Sequence, residues 1–199
     1  PWVFFHSNNK FNIGGRQHPV HYAWLNADNG HVYNAAGKDL GEHVKYPEGW
    51  KACLVARARY KEKFMQYINN SWTTKAGNPF VIWQEKNTLD PLQDDDAKMF
   101  TYFSVYDPGK EEWTTRQIYE EEDPCTRCTD VNVTDEGTIE LLKPSGNTMD
   151  ILRSEDNGKT WERETVYRAS RDHYMTSDME LVYFAAGGEL NNVIANRGW

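Results

Sequence analysis

Short runs of apolar and aromatic residues recur along the chain, each closed by a cluster of Gly, Pro, Asp, Asn or Ser. Five stand out: Val20-His21-Tyr22-Ala23-Trp24-Leu25, Pro79-Phe80-Val81-Ile82-Trp83-Gln84, Phe100-Thr101-Tyr102-Phe103-Ser104-Val105, Gly137-Thr138-Ile139-Glu140-Leu141-Leu142 and Met149-Asp150-Ile151-Leu152-Arg153. Their length and their aromatic and β-branched content predict strands, with the polar clusters as turns. Helix signals are few. Gly49–Ala56 suits a helix or a strand equally, and Pro1–Phe5 reads as a strand already under way, as if the chain began inside a domain. The acidic runs Asp94–Asp96 and Glu120–Asp123 read as solvated loops.

Three strands lead into a turn rich in Asp and Gly. The fullest is Ser154-Glu155-Asp156-Asn157-Gly158-Lys159-Thr160-Trp161. Asp156 can accept from the backbone two residues on, Gly158 supplies positive φ at the tip, and Thr160 and Trp161 restart a strand. Asn26–Tyr33 aligns with it without gaps, Tyr33 replacing Trp161, and Tyr106–Trp113 is a looser copy with one extra residue before the Trp. The unit is therefore strand, turn, strand, Asp-turn, strand. Asp28 and Asp107 are 79 residues apart, and Asp107 and Asp156 are 49 apart. The shorter interval fits one propeller blade of roughly 40–50 residues. The longer fits a blade with an insertion, or two blades. About three to four four-stranded blades are expected, fewer than the ~4–8 of a closed ring. The expectation is an all-β chain forming a single partial β-propeller domain over residues 1–199, with the rest of the ring N-terminal to Pro1.

Composition narrows the function. The 199 residues include 8 Trp, 11 Tyr and 8 Phe at a mean hydropathy of −0.81, a mixture that argues against a disordered chain. There is no run of eighteen apolar residues, so no membrane helix is expected. A net charge of −8 argues against nucleic acid as a partner, because phosphates would meet no general basic field. An anionic polymer would need a local basic patch.

The pattern Ser-x-Asp-x-Gly-x-Thr-Trp at Ser154–Trp161 resembles the Asp-box hairpin of sialidase-like propellers and other BNR-repeat proteins. With His18-Pro19-Val20-His21-Tyr22-Ala23-Trp24, Val32-Tyr33-Asn34, Trp50–Val55 and Gly77–Trp83, the chain is similar to the C-terminal part of the BNR-repeat propellers that include ulvan lyases. The resemblance implies a seven-bladed propeller, secreted or periplasmic, that cleaves a uronate-containing polysaccharide by β-elimination. It implies His, Tyr and Arg as base, acid and charge neutraliser, and a structural zinc. The catalytic motifs of that family lie mainly in its N-terminal half and find no one-to-one match here. Two alternatives stand beside it. One is a non-catalytic carbohydrate-binding propeller. The other is a sialidase-type glycoside hydrolase, for which Arg16, Arg59, Arg153 and Arg171 sit in no recognisable motif.

The residues also offer chemistry of their own. Cys125-Thr126-Arg127-Cys128 is a C-x-x-C, and Cys53 is the only other cysteine. Three thiolates and one His would complete a tetrahedral zinc site, with His43 as fourth ligand and His31 as the next choice. A local Cys125–Cys128 disulfide and free thiols are the alternatives. No organic cofactor is expected, since no dinucleotide or phosphate-loop motif occurs. His18 and His21 flank one strand start as candidate bases or hydrogen bonders. Arg171, His173 and Tyr174 read as a loop between strands that could face a cleft, and His6 sits in another loop. Arg57, Arg59, Lys61 and Lys63 alternate, so a strand there would put all four on one side, where they could hold carboxylate or sulfate. The structural alternative is an edge strand guarded by charge.

Overall fold

The computed structural model describes residues 2–3, 19–57, 59, 64–88, 98–121, 130–145, 148–168, 173–175, 181–184 and 190–192. The chain forms two compact units, Pro1–Pro124 and Cys125–Trp199. In the first, the strands are β1 (Trp2–Val3), β2 (Val20–His21), β3 (Ala23–Leu25), β4 (Val32–Tyr33), β5 (Leu54–Ala56), β6 (Met65–Thr73), β7 (Pro79–Lys86), β8 (Met99–Asp107) and β9 (Glu112–Glu121). One short helix, α1 (Glu48–Ala52), precedes β5 and is the only α-helix among the described residues. The second unit holds β10 (Asp130–Val133), β11 (Ile139–Ser145), β12 (Thr148–Ser154), β13 (Glu162–Arg168), β14 (His173–Met175), β15 (Leu181–Phe184) and β16 (Leu190–Asn192). The chain is thus all-β with almost no helix. All described strand pairs are antiparallel, and two of the sheets are four-stranded meanders, β6-β7-β8-β9 and β10-β11-β12-β13.

Strand β7 is the centre of the first unit. From Phe80 to Lys86 every residue is buried, because β6 and β8 cover both edges and side chains pack on both faces. Its alternation puts Val81, Trp83 and Glu85 on one face and Phe80, Ile82, Gln84 and Lys86 on the other. The first face builds a core with Val20 and Tyr22, flanked by Trp24, Val55, Ala56, Ile68, Tyr102 and Trp113. The Trp83 indole N–H donates to Ser104 Oγ at 2.8 Å, so the ring is oriented as well as buried. Phe80 meets Phe103 on the opposite face, with ring centres 5.1 Å apart.

Two expected elements are divided. The run Val20–Leu25 changes sheets at Tyr22: β2 pairs β5, β3 pairs β1 and β4, and Tyr22 N–H donates to the Cys53 carbonyl between them. Gly49–Ala56 holds both a helix and a strand, α1 and then β5, with Gly49 packed against Val44. Glu120 and Glu121, expected in a solvated loop, instead end β9, where Met99 and Phe100 of β8 continue the ladder. Glu120 stays exposed and pairs with Lys98 at 2.8 Å.

The Asp-rich turns all close hairpins between neighbouring antiparallel strands, but with different chemistry. Between β12 and β13, Asp156 Oδ1 accepts from the Lys159 and Thr160 N–H groups and from the Ser154 hydroxyl, and Oδ2 accepts from the Thr160 hydroxyl. Its contacts are three and four residues on, not two. Between β8 and β9, Asp107 accepts from Gly109 N–H at 2.9 Å. Between β3 and β4 the accepting side chains are Asn26 and Asn29, while the aligned Asp28 contributes its N–H to Asn26.

Candidate functional site

The sheet β6–β9 has its Asp107 turn at one end. At the other, where β7 ends, a polar group gathers around Glu85. Glu85 continues the buried face of Val81 and Trp83, so its carboxylate is held with no solvent exposure. A buried carboxylate needs donors in place of water. Arg59, in the segment after β5, supplies one from Nη1 to Oε2 at 2.8 Å. Gln66, the cross-strand neighbour on β6, supplies another from Nε2 to Oε1 at 2.8 Å. Tyr102, on the adjoining strand β8, brings its hydroxyl into hydrogen-bonding reach of both Glu85 and Arg59.

Each member is anchored from behind. Gln66 Nε2 also donates to the Arg57 carbonyl at 3.0 Å, tying β6 to the segment that carries Arg59. The Arg59 guanidinium lies 4.0 Å above the Phe64 ring, and Phe64 leans on Phe100. The Tyr102 ring stacks on Trp83, with centres 4.4 Å apart and planes 16° from parallel. Burial pushes the Tyr102 phenol up to about 12, helped by the Glu85 charge and opposed by Arg59. At neutral pH it is therefore a proton donor. Arg59 keeps 39% of its side chain exposed, so a fixed cation remains accessible beside that phenol. The group brings a guanidinium and a protonated phenol to one place.

The residues singled out from sequence fall as follows. Arg59 belongs to this group. Arg57 is exposed and joins it through its carbonyl; both lie beyond the end of β5, so the one-sided basic strand does not form at these two positions. The reason is local: Gln66 and Glu85 capture the segment from the side, in place of strand pairing. Lys61 and Lys63 lie outside the described residues. His21 is buried on β2, edge-on to Trp50 at 5.4 Å, and burial lowers its pKa, so it is a neutral imidazole. His173 and Tyr174, expected in a loop, are strand residues of β14, paired with Tyr183 and Val182 of β15. His6, His18 and Arg171 lie outside the described residues.

Of the cysteine set, Cys53 is buried behind α1, and burial pushes its thiol up to about 11. His43 is exposed, and Cys125 and Cys128 lie outside the described residues. His31 Nδ1 is 2.8 Å from Asp39 Oδ2. Among the described residues no three His, Cys, Asp or Glu side chains are grouped to hold a metal. None of the described helices is long and apolar enough to cross a membrane. Glu85, Gln66 and Tyr102 escaped the sequence reading. The one available signal was an acid and a base, Glu85 and Lys86, following directly on an apolar strand.

No family model matches the chain, and no curated protein matches its sequence. The fold does have solved counterparts. Two are structures of an ulvan lyase of polysaccharide lyase family PL25, one of them bound to -[GlcA(1-4)Rha3S]-. Each aligns over 84% of this chain with a TM-score of 0.59 and 16% sequence identity. The likeness is one of fold. This chain spans 43% of the ulvan lyase chain it matches.

Proposed function

We propose that this chain is part of a secreted or periplasmic β-propeller lyase that cleaves a uronate-containing, ulvan-like polysaccharide by β-elimination. The observation that carries the reading is the fold likeness to an ulvan lyase over 84% of the chain. The Arg59–Tyr102 group gives it residues. In such a reaction a base removes the proton next to the uronate carboxylate, the carbon–oxygen bond to the leaving sugar breaks, and a double bond forms between the two ring carbons. Arg59 is assigned to neutralise the charge that builds on the carboxylate. Tyr102 is assigned to give its proton to the departing glycosidic oxygen, since its hydroxyl hydrogen can turn about the C–O bond. The base is proposed at His18, and Arg57, Lys61 and Arg171 as further contacts to the anionic polymer. His21, His173 and Tyr174 stand as further candidates from sequence.

The test is to mix the protein with ulvan and follow the ultraviolet absorbance of the unsaturated uronate. A steady rise is expected, and no rise across several uronate polymers would reject the lyase reading. A second reading, a sialidase-type hydrolase, draws on the contact between Tyr102 and Glu85 beside an arginine. It predicts new reducing ends without the ultraviolet product. Binding of ulvan with neither product would favour a carbohydrate-binding propeller.

For the cysteines we propose the zinc reading, with Cys53, Cys125, Cys128 and His43 as its ligands from sequence. A thiol with a pKa of about 11 is protonated at neutral pH, so binding would release a proton from Cys53. Metal analysis of protein purified without chelator is expected to give close to one zinc per chain, and none found would reject it.

A further inference from the structure

We propose that Glu85 is the positioning residue of the Arg59–Tyr102 group: its buried carboxylate fixes the guanidinium in place and holds the neighbouring phenol as a proton donor. The inference rests on the reading of Tyr102 as the acid and deepens it.

Donors from three separate elements converge on one side chain: Arg59 from the segment after β5, Gln66 from β6 and Tyr102 from β8. Glu85 itself stands on β7, between the strands that carry Gln66 and Tyr102, and shows no exposure. Arg59 is held by Glu85 at its charged end and by the Phe64 ring on its face. Arg59 is a long side chain more than a third exposed, and outside any strand. Tyr102 is only partly buried. A carboxylate at 2.8 Å matches the planar guanidinium and restricts it.

The charged groups facing the phenol oppose each other. Glu85 from β7 disfavours the phenolate, and Arg59 from the preceding segment favours it. The opposing residue on β9 is the uncharged Gln117, and Gln66 on β6 is also uncharged. Burial acts in the same direction as Glu85. Removing the negative charge therefore has one consequence, a more acidic Tyr102. Removing the positive charge has the opposite one.

The experiment is a pH titration of tyrosine labelled with carbon-13 at the ring carbon bearing the hydroxyl, with Tyr102→Phe to assign the signal. Wild-type Tyr102 is expected to remain a phenol up to about pH 11. In Glu85→Gln its midpoint should fall, the phenol becoming at least tenfold more acidic, and in Arg59→Met it should rise. An unchanged Tyr102 signal in folded Glu85→Gln would overturn the proposal. If Glu85→Gln does not fold, Arg59→Met decides alone: a midpoint that falls or stays unchanged would overturn the proposal, and one that rises would sustain it. Turnover of ulvan is read separately. Its alkaline limit should move to lower pH in Glu85→Gln. Absence of ulvan turnover in the wild type rejects the lyase reading, while the titration still judges Glu85.

Discussion

Arg59 and Tyr102 show how little a residue's neighbours in sequence say about its role. Arg59 stands in an alternating basic run, yet its position comes from Glu85, 26 residues further on. Glu85 and Tyr102 sit inside strands whose apolar pattern is complete without them, so alternation hides them. Only the fold shows that they share a face. Tyr102→Phe is expected to lower turnover of ulvan by about 100-fold or more, and Arg59→Ala by a similar factor, with little change in melting temperature for the phenylalanine variant. Equal turnover in wild type and Tyr102→Phe would remove Tyr102 from the mechanism. His21 makes a prediction about stability. Burial holds its folded pKa below the ordinary 6.5. The unfolded chain then binds more protons below that value, so stability is complete above about pH 6.5 and declines as pH falls towards the lowered folded pKa. His21→Phe should flatten that decline in urea unfolding at stepped pH. A decline as steep as wild type would show that another group causes it.

At the scale of elements, strands and hairpins were largely legible and their ends were not. The apolar runs at Phe80, Phe100, Ile139 and Met149 all became strands, because each buries at least one face. The run at Val20 split because Tyr22 hands the chain from one sheet to another, which no local pattern signals. A second repeating turn went unread. In Asn34–Lys38, Thr74–Asn78 and Thr134–Thr138, the first residue exchanges backbone bonds with the fifth and the glycine, and its side-chain oxygen accepts from the fifth N–H. Gly37, Gly77 and Gly137 hold the positive φ in all three. The signal was Asn or Thr followed three residues later by Gly, too short to notice beside the Asp-turns. Gly77 has open space around it, so an added methyl meets nothing and only its φ of 82° resists substitution. Gly77→Ala should therefore cost about 1–2 kcal/mol in urea unfolding. An unchanged midpoint would mean that the turn relaxes. The Asp156 turn predicts an acid effect. Hydrogen bonds from Thr160, then Ser154 and Lys159, hold its carboxyl well below the usual carboxylate range. That contribution is present above the unfolded value near 4 and is lost as pH falls through the depressed folded one. Amide exchange at Thr160 should accelerate over that acid range in wild type and be fast throughout in Asp156→Ala. Slow exchange in the variant would discount the carboxylate.

For the whole molecule, charge sets a problem that the site has to solve. The chain carries a net −8, and the polymer proposed for it is also anionic. Attraction has to come from local cations, while the net field repels. Added salt should first raise the rate of association by screening the long-range repulsion, whose reach at 0.15 M is about 8 Å. The initial rate on ulvan should thus rise between low and physiological ionic strength. A monotonic fall would point to a dominant basic surface that the composition does not supply. The all-β class was readable from the chain as a whole, since short strands and polar turns recur along it and only Gly49–Ala56 was open to a helix. The site was not, because its members come from four separate elements that only the folded sheet brings together.

Strand β7 also sets a timetable for the molecule. Its amides lie between two paired neighbours, so they exchange with solvent only when the unit opens as a whole. Arg57 and Arg59 stand outside any strand ladder, and what ties them to the sheet is the Gln66 and Glu85 side chains, contacts that a local fluctuation can break. The two halves of the Arg59–Glu85 pair therefore keep different clocks. Under mild denaturant or warming, the guanidinium should leave its carboxylate long before the sheet melts. The arginine–carboxylate pair would then be lost while every spectroscopic sign of the fold remains.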